Sequence, residues 1–158
     1  MTKTISSVVV ADASGVGAST SANFFTTSCS AYVTGIKVAY SSGKCATGVY
    51  LYFSDGSIVS SGISSADSTS LSSYLSFGNS NQWTTQLFTV NYQSGSILDY
   101  LTICNSGGTC VSGGNSGGGG YQDLANIGSN YVITGVYVDY QPFSGIDCLN
   151  DLAIYYYT

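Results

Sequence analysis

The chain has 158 residues, and its charged side chains are eight Asp and three Lys, which give a net charge of -5, with no Glu, Arg or His. A nucleic-acid partner needs a basic surface, so this composition excludes one. Without His, a Ser-His-Asp or Cys-His centre cannot form, and zinc would have only Cys and Asp as ligands.

Enzymatic activity is expected to be absent. Two Asp carboxylates would suffice for a glycosidase, which leaves that one mechanism open. The Asp residues, however, fall at turns rather than in a recognisable catalytic pattern. We therefore expect a protein with no catalytic residue, no bound metal and no cofactor.

Composition favours an all-β fold in one domain that spans residues 1–158. The chain has 14 Tyr, 20 Gly and a single Pro, and it is rich in Val, Ile, Thr and Ser, which is typical of strands joined by tight turns. The apolar run before Asp12 is too short for a signal segment. No stretch reaches the length of a membrane span, so we expect no membrane insertion.

Three hairpins are predicted in chain order. Residues 34–40 alternate between inward and outward positions, and a turn at Gly43 leads to a second strand over 47–53. The first strand recurs at an offset of 52 in residues 87–92 and at an offset of 100 in residues 134–140. In the second hairpin the turn contains Gly95 and the second strand covers 99–105. In the third hairpin the turn contains Gly145 and the second strand covers 150–156.

Weaker apolar segments complete a repeat of about fifty residues. They cover 8–10 with 24–25 in the first repeat, 58–63 with 74–77 in the second, and 121–127 in the third. We therefore predict three repeats, 1–57, 58–110 and 111–158, with about four strands in each. Three related sheets would gain most by packing their apolar faces around one axis. The prediction is a β-prism of three Greek-key-like four-stranded sheets, and a generic β-sandwich is the alternative.

This repeat plan resembles that of the jacalin-related, mannose-binding lectins. Residues 36–56 and 88–105 show it best, and the last strand over 149–155 resembles the final strand of that family. A weaker similarity is to the vitelline-membrane outer-layer proteins. The resemblance implies a β-prism that binds sugar through a Gly-x-x-x-Asp turn.

One turn matches the sugar-binding spacing of that family. Its residues are Gly95, Ser96, Ile97, Leu98 and Asp99. The resemblance makes Asp99 the central acceptor of sugar hydroxyls, on an exposed turn. The first repeat has Thr47 at the aligned position, and the third has Asn150 in a turn that is one residue longer, with acids before and after it at Asp147 and Asp151.

The same resemblance implies that glycine-rich loops form one side of these sugar sites. The loop over 115–120, with Gly118 and Gly119, would face the Asp99 turn, and the loop with Gly15 and Gly17 would face the third turn; a flexible linker is the alternative for the former. Tyr100 and Tyr121 are candidates for stacking on sugar rings, although tyrosines that alternate along strands also pack within sheets.

Five cysteines leave at least one thiol unpaired within the chain. Cys104 and Cys110 form the best pair, because they bracket a short loop. In a three-fold prism, Cys45 and Cys148 would lie on different faces, beyond the reach of about 7 Å between Cα atoms that a disulfide allows. Mostly free thiols favour a reducing cytoplasm, whereas the composition resembles an extracellular coat, so the compartment stays open.

The function expected is that of a lectin whose partners are glycans or glycoproteins. The alternative is a structural subunit of a coat, matrix or filament, because a low charge and many Tyr residues suit dense protein contacts. Assembly into a homo-oligomer is left open in both interpretations.

Overall fold

The computed structural model describes residues 5–12, 20–25, 33–60, 70–77, 88–94, 97–105, 107–117, 121–127 and 132–157, and throughout these ranges the chain forms strands and turns without a helix. The all-β prediction is therefore confirmed there. Among these residues there is accordingly no helix of the length and apolar character needed to cross a membrane. The strands are β1 Ile5–Asp12, β2 Thr20–Phe25, β3 Val33–Ser41, β4 Cys45–Phe53, β5 Ile58–Ser60, β6 Ser70–Leu71, β7 Leu75–Ser76, β8 Phe88–Ser94, β9 Leu98–Cys104, β10 Cys110–Gly114, β11 Tyr121–Ile127, β12 Val132–Phe143 and β13 Ile146–Tyr157.

These strands form three antiparallel sheets with one shared plan. The first sheet has the order β5-β4-β3-β6 with β7 also on β3, the second has β10-β9-β8-β11, and the third has β1-β13-β12-β2. Each is centred on one predicted hairpin, β3–β4, β8–β9 or β12–β13. One outer strand pairs with the second strand of the hairpin, and the other outer strand pairs with the first.

The third sheet joins distant parts of the chain. Its hairpin comes from residues 132–157, while β1 pairs with β13 and β2 pairs with β12. The two strands at the start of the predicted repeat 1–57 therefore lie in the third sheet, whereas the hairpin of that repeat lies in the first. In the first and second sheets, the outer strands follow the hairpin in the chain. In the third sheet, whose hairpin is the last of the three, the outer strands are β1 and β2.

The main apolar core of the described residues takes side chains from all three sheets. Buried residues alternate with partly exposed ones over residues 49–53 of β4 and 101–103 of β9, as expected for strands with one face inward, whereas residues 45–49 of β4 are all buried. Burying each large aliphatic side chain contributes about 1.5–3 kcal/mol. The most deeply buried large members of the core are Ile36, Leu51 and Leu75 of the first sheet, Leu98, Leu101 and Ile103 of the second, and Leu149 and Leu152 of the third.

Each hairpin carries a β-bulge close to its turn. Between Ala39 and Tyr40 the register of β3–β4 skips Thr47, and the corresponding skips omit Asp99 in β8–β9 and Asn150 in β12–β13. A bulge leaves one residue outside the ladder and redirects its side chain. The three residues aligned by sequence therefore occupy the same irregular position in the three sheets.

Two disulfides correct the expectation of mostly free thiols. Cys104 pairs with Cys110, as predicted, and their Cα atoms are 4.0 Å apart. Cys45 pairs with Cys148 across a Cα–Cα distance of 6.0 Å, so the prediction that these two residues lie beyond reach was wrong. The turn ends of the first and third hairpins are close together, although the two hairpins belong to different sheets. Cys29 lies outside the described residues.

Candidate functional site

The Asp99 bulge lies where the β8–β9 hairpin turns. Gln93 is opposite Tyr100 and Ser94 is opposite Leu98, so Asp99 stands outside the ladder. Leu98 is fully buried in the core, whereas Asp99 is half-buried rather than exposed as expected. Asp99 is therefore partly accessible, directly beside a residue of the core.

The start of the glycine-rich loop lies at the same end of the second sheet. Strand β10 ends with Gly114 opposite Tyr100, and β11 begins with Tyr121 opposite Ser94. Both strand ends therefore flank the turn end of the β8–β9 hairpin. Asn115 follows β10, and its backbone N–H donates to the carbonyl oxygen of Asp99 over 2.7 Å.

The loop keeps its shape through a local Asn turn. The Asn115 Oδ1 accepts a hydrogen bond from the backbone N–H of Gly117 over 3.0 Å, a pattern that replaces a backbone turn. The predicted contacts of Gly118 and Gly119, like those of Gly95 and Ser96 in the turn itself, lie outside the described residues. Of this loop, the structure therefore describes only residues 115–117, and Asn115 is hydrogen-bonded to the Asp99 bulge.

Two glycines allow β10 to come this close. A Cβ atom on Gly113 would collide with the ring of Tyr40, and one on Gly114 would collide with the carbonyl oxygen of Asp99 and lie 3.1 Å from the backbone nitrogen of Ala46. Gly114 also has a φ of 120°, a conformation that favours glycine. The end of β10 is consequently in contact with both the Asp99 bulge and the neighbouring hairpin.

The two candidate stacking tyrosines have different surroundings. Tyr100 is half-buried, and its hydroxyl group donates to Ser112 Oγ over 2.7 Å. This bond fixes the ring on the outer face of the second sheet. The backbone of Tyr121 lies opposite Ser94 at the hairpin end, while its side chain lies outside the described part of the chain.

The third hairpin repeats this geometry with different side chains. Strand β1 ends with Asp12 opposite Asp151, and β2 begins with Thr20 opposite Tyr140. The ends of these two strands therefore flank the third bulge. The predicted site residues Gly15 and Gly17 lie outside the described residues.

Asn150, at that bulge, is only 4 % exposed, and its Oδ1 accepts no hydrogen bond from the described residues. Asp147 and Asp151 are half-buried, and Asp151 lies opposite Asp139 in the sheet. In the first hairpin Thr47 is fully buried. Of the three bulge residues, Asp99 is therefore both charged and partly accessible, which distinguishes the second sheet.

A small apolar cluster joins the three hairpin ends. Cys45, Ile97 and Cys148 are each at most 1 % exposed and pack together, with Ile146 beside them. Each of the three buried residues lies two positions before a bulge residue. Ile97 was predicted to belong to the sugar site, and this cluster was not predicted. The sequence alignment of Thr47, Asp99 and Asn150 nevertheless also aligns the three buried members of the cluster.

Burial limits what the predicted site residues can contribute. Ile97 and Leu98 can offer a ligand only backbone groups, because their side chains are enclosed. Within the described ranges, no group of three or more His, Cys, Asp or Glu side chains is arranged to hold a metal ion. The chemistry of the site rests on a carboxylate, backbone amides and hydroxyl groups.

No protein-family model matches the chain, and no curated protein matches it. Among solved structures, a prostate-specific WGA16 glycoprotein lectin superposes with a TM-score of 0.61 at 15% identity, over 90% of this chain and 94% of that chain. Lamprey immune protein gives a TM-score of 0.65 at 15% identity over 100% of this chain, which spans only 46% of that protein.

The biofilm matrix protein Bap1 of V. cholerae aligns with 96% of this chain and 26% of its own, at 15% identity and a TM-score of 0.48. At 15% identity, the superpositions on the lectin and on lamprey immune protein show shared architecture rather than shared activity. From the first two superpositions, the chain has the same overall β fold as a glycoprotein lectin.

Proposed function

We propose that the chain is a carbohydrate-binding lectin without catalytic activity, and that Asp99 is the centre of its sugar site. The observation that carries the proposal is the seating of the glycine-rich loop on the Asp99 bulge, through the bond from Asn115 N–H to the Asp99 carbonyl oxygen. This bond supports the proposal because it joins the residue with the partly accessible carboxylate to the start of the glycine-rich loop. The sugar would lie between the turn and the loop.

The chemistry suits vicinal hydroxyl groups. A carboxylate has two oxygens that accept charge-assisted hydrogen bonds, and each hydroxyl group can both donate and accept. Backbone N–H groups of the turn and loop would donate to ring or hydroxyl oxygens. Glycines permit close approach of the backbone, and a small uncharged ligand avoids repulsion by a protein whose net charge is -5.

The architecture belongs to the same proposal. Three sheets with one strand plan, a bulge at Thr47, Asp99 and Asn150, and a common core support a pseudo-three-fold β-prism built from internal repeats. The mannose-binding, jacalin-related type follows from the Gly-x-x-x-Asp spacing at Gly95 and Asp99. Mannose and glucose are accordingly the first sugars to test.

The test is calorimetric titration of methyl α-mannoside, glucose and galactose into wild type and Asp99→Asn. Hydrogen bonds to a charged group contribute about 1.5–3 kcal/mol each, so we expect Asp99→Asn to weaken binding by about ten-fold to a hundred-fold. Asp55→Asn is the matched control, because it removes the same charge from an exposed turn of the first sheet.

Asn150→Ala separates the two candidate sites. If the third hairpin held the sugar, Asn150→Ala would abolish binding while Asp99→Asn bound like wild type, and the assignment to Asp99 would be wrong. Absence of binding by wild type to any glycan on an array, together with assembly that sugar does not reverse, would support the structural-subunit interpretation instead. Hydrolysis of a glycoside that an Asp substitution abolishes would contradict the non-catalytic part.

A further inference from the structure

The position of Asp99 depends on the residues just before it. Ile97 is 1 % exposed and packs in the cluster with Cys45 and Cys148, and Leu98 is fully buried in the main core. On the outer side, Asn115 N–H holds the Asp99 carbonyl oxygen. The bulge is therefore held between two apolar anchors and one hydrogen bond.

The three hairpin ends are not held in the same way. The ends of β3–β4 and β12–β13 are joined covalently through Cys45 and Cys148. The aligned position in β8–β9 is Ile97, which has no covalent partner there and relies on packing against that disulfide. In the cluster that joins the three hairpin ends, the end that carries the accessible carboxylate is thus held by packing of Ile97 and not by a covalent bond.

We propose that Ile97, packed against the Cys45–Cys148 disulfide, is a positioning residue for the Asp99 site. The proposal rests on the function proposed above, and it adds that affinity is set partly by a buried side chain that touches no sugar. When a binding group is held by tightly packed neighbours, loosening them lowers affinity without removing any contact group. The disulfide provides the rigid surface against which the side chain of Ile97 packs.

The comparison that tests this proposal is Ile97→Ala against Ile103→Ala. Both residues are at most 1 % exposed and lose the same atoms, but Ile103 lies in the main core near the opposite end of β9. Sugar affinity is measured by calorimetry. Amide hydrogen exchange at Asn115 reports whether the bulge stays in place, and exchange at Leu101, at the centre of the same sheet, corrects for global unfolding.

We expect Ile97→Ala to weaken sugar binding by about ten-fold, which corresponds to roughly 1.4 kcal/mol, and to raise exchange at Asn115 relative to Leu101. Ile103→Ala should lower stability comparably while leaving affinity and the Asn115-to-Leu101 ratio close to wild type. Ile97→Val, which keeps most of the side chain, should recover most of both signals and also serves if Ile97→Ala does not fold.

Equal effects of the Ile97 and Ile103 substitutions on Asn115 exchange and on affinity would overturn the proposal, because they would show only a general loss of stability. Amide exchange at Asn115 and sugar affinity that stay at the wild-type level in Ile97→Ala would also overturn the proposal. If wild type binds no sugar, the proposed function fails by itself. The Asn115 exchange ratio, measured without ligand, then still decides whether Ile97 positions the bulge.

Discussion

Removal of the two disulfides should have clearly different effects on stability. Cys45 and Cys148 are separated by 103 residues, and Cys104 and Cys110 by 6. In the chain-entropy model, a cross-link stabilises by restricting the unfolded chain, and the effect grows with the logarithm of the loop length. The same relation gives about 4.7 kcal/mol for the long loop and about 2 kcal/mol for the short loop.

The environment of the sulfur atoms increases this difference. Cys45 and Cys148 are completely buried, whereas Cys110 is exposed. Replacing the buried pair by Ala removes packed sulfur atoms from the centre of the hairpin-end cluster, which adds roughly 1 kcal/mol or more of lost apolar burial. The buried-pair variant should therefore be less stable than the exposed-pair variant by about 3–4 kcal/mol.

The assay is urea denaturation of wild type, Cys45→Ala/Cys148→Ala and Cys104→Ala/Cys110→Ala, with the free energy of unfolding extrapolated to water. The short-loop double variant is the control, because it also removes two sulfur atoms and one cross-link. Equal losses of stability, or a larger loss in the short-loop variant, would refute the reasoning. They would show that the connection between the first and third hairpins contributes little to the fold.

Two further predictions concern other parts of the chain. Gly114→Ala should lower both stability and sugar affinity, because its Cβ would meet the Asp99 carbonyl oxygen at a φ of 120°; thermal melting with calorimetric titration tests this, and wild-type affinity in the variant would contradict it. Side-chain and backbone hydrogen bonds from Ser57 hold the pKa of Asp55 below 3.8. Its contribution to stability is therefore complete above the pKa of the unfolded chain and is lost as the pH falls through the folded value. The difference in melting temperature between wild type and Asp55→Asn should therefore shrink as the pH falls below 3.8, and a difference that stays constant with pH would contradict this explanation.

The hairpins follow from local sequence. Alternating residues and turn glycines at Gly43, Gly95 and Gly145 predict each hairpin, because these features act between near neighbours. Alignment of the repeats also brings Asp99 and Asn150 to equivalent positions, and both are bulge residues in the structure. The all-β class and the equivalence of these two positions could therefore be predicted from the sequence, whereas the bulges and the partial burial of Asp99 were not predicted.

The arrangement of the three hairpin ends could not be predicted from the sequence. In the prism predicted from the sequence, Cys45 and Cys148 lie on separate faces at a large distance, but their Cα atoms are 6.0 Å apart, because hairpins of different sheets can meet at their ends. That distance depends on how strands tilt within the packed core, which no local pattern encodes. The same limitation concealed the burial of Asn150, because its exposure is set by neighbours distant in sequence.

Pairing of β1 with β13 has a consequence for the order of folding. Ile5 lies opposite Tyr157, whereas the first and second sheets are assembled from the continuous segments 33–77 and 88–127. During synthesis, β1 and β2 emerge early but have no partner strands until residues 132–157 follow. Contacts between residues far apart in sequence form slowly, because a long loop must close before they stabilise the chain. The first two sheets can therefore form while the chain is still growing, and closure of the third sheet is the late step that completes the apolar core.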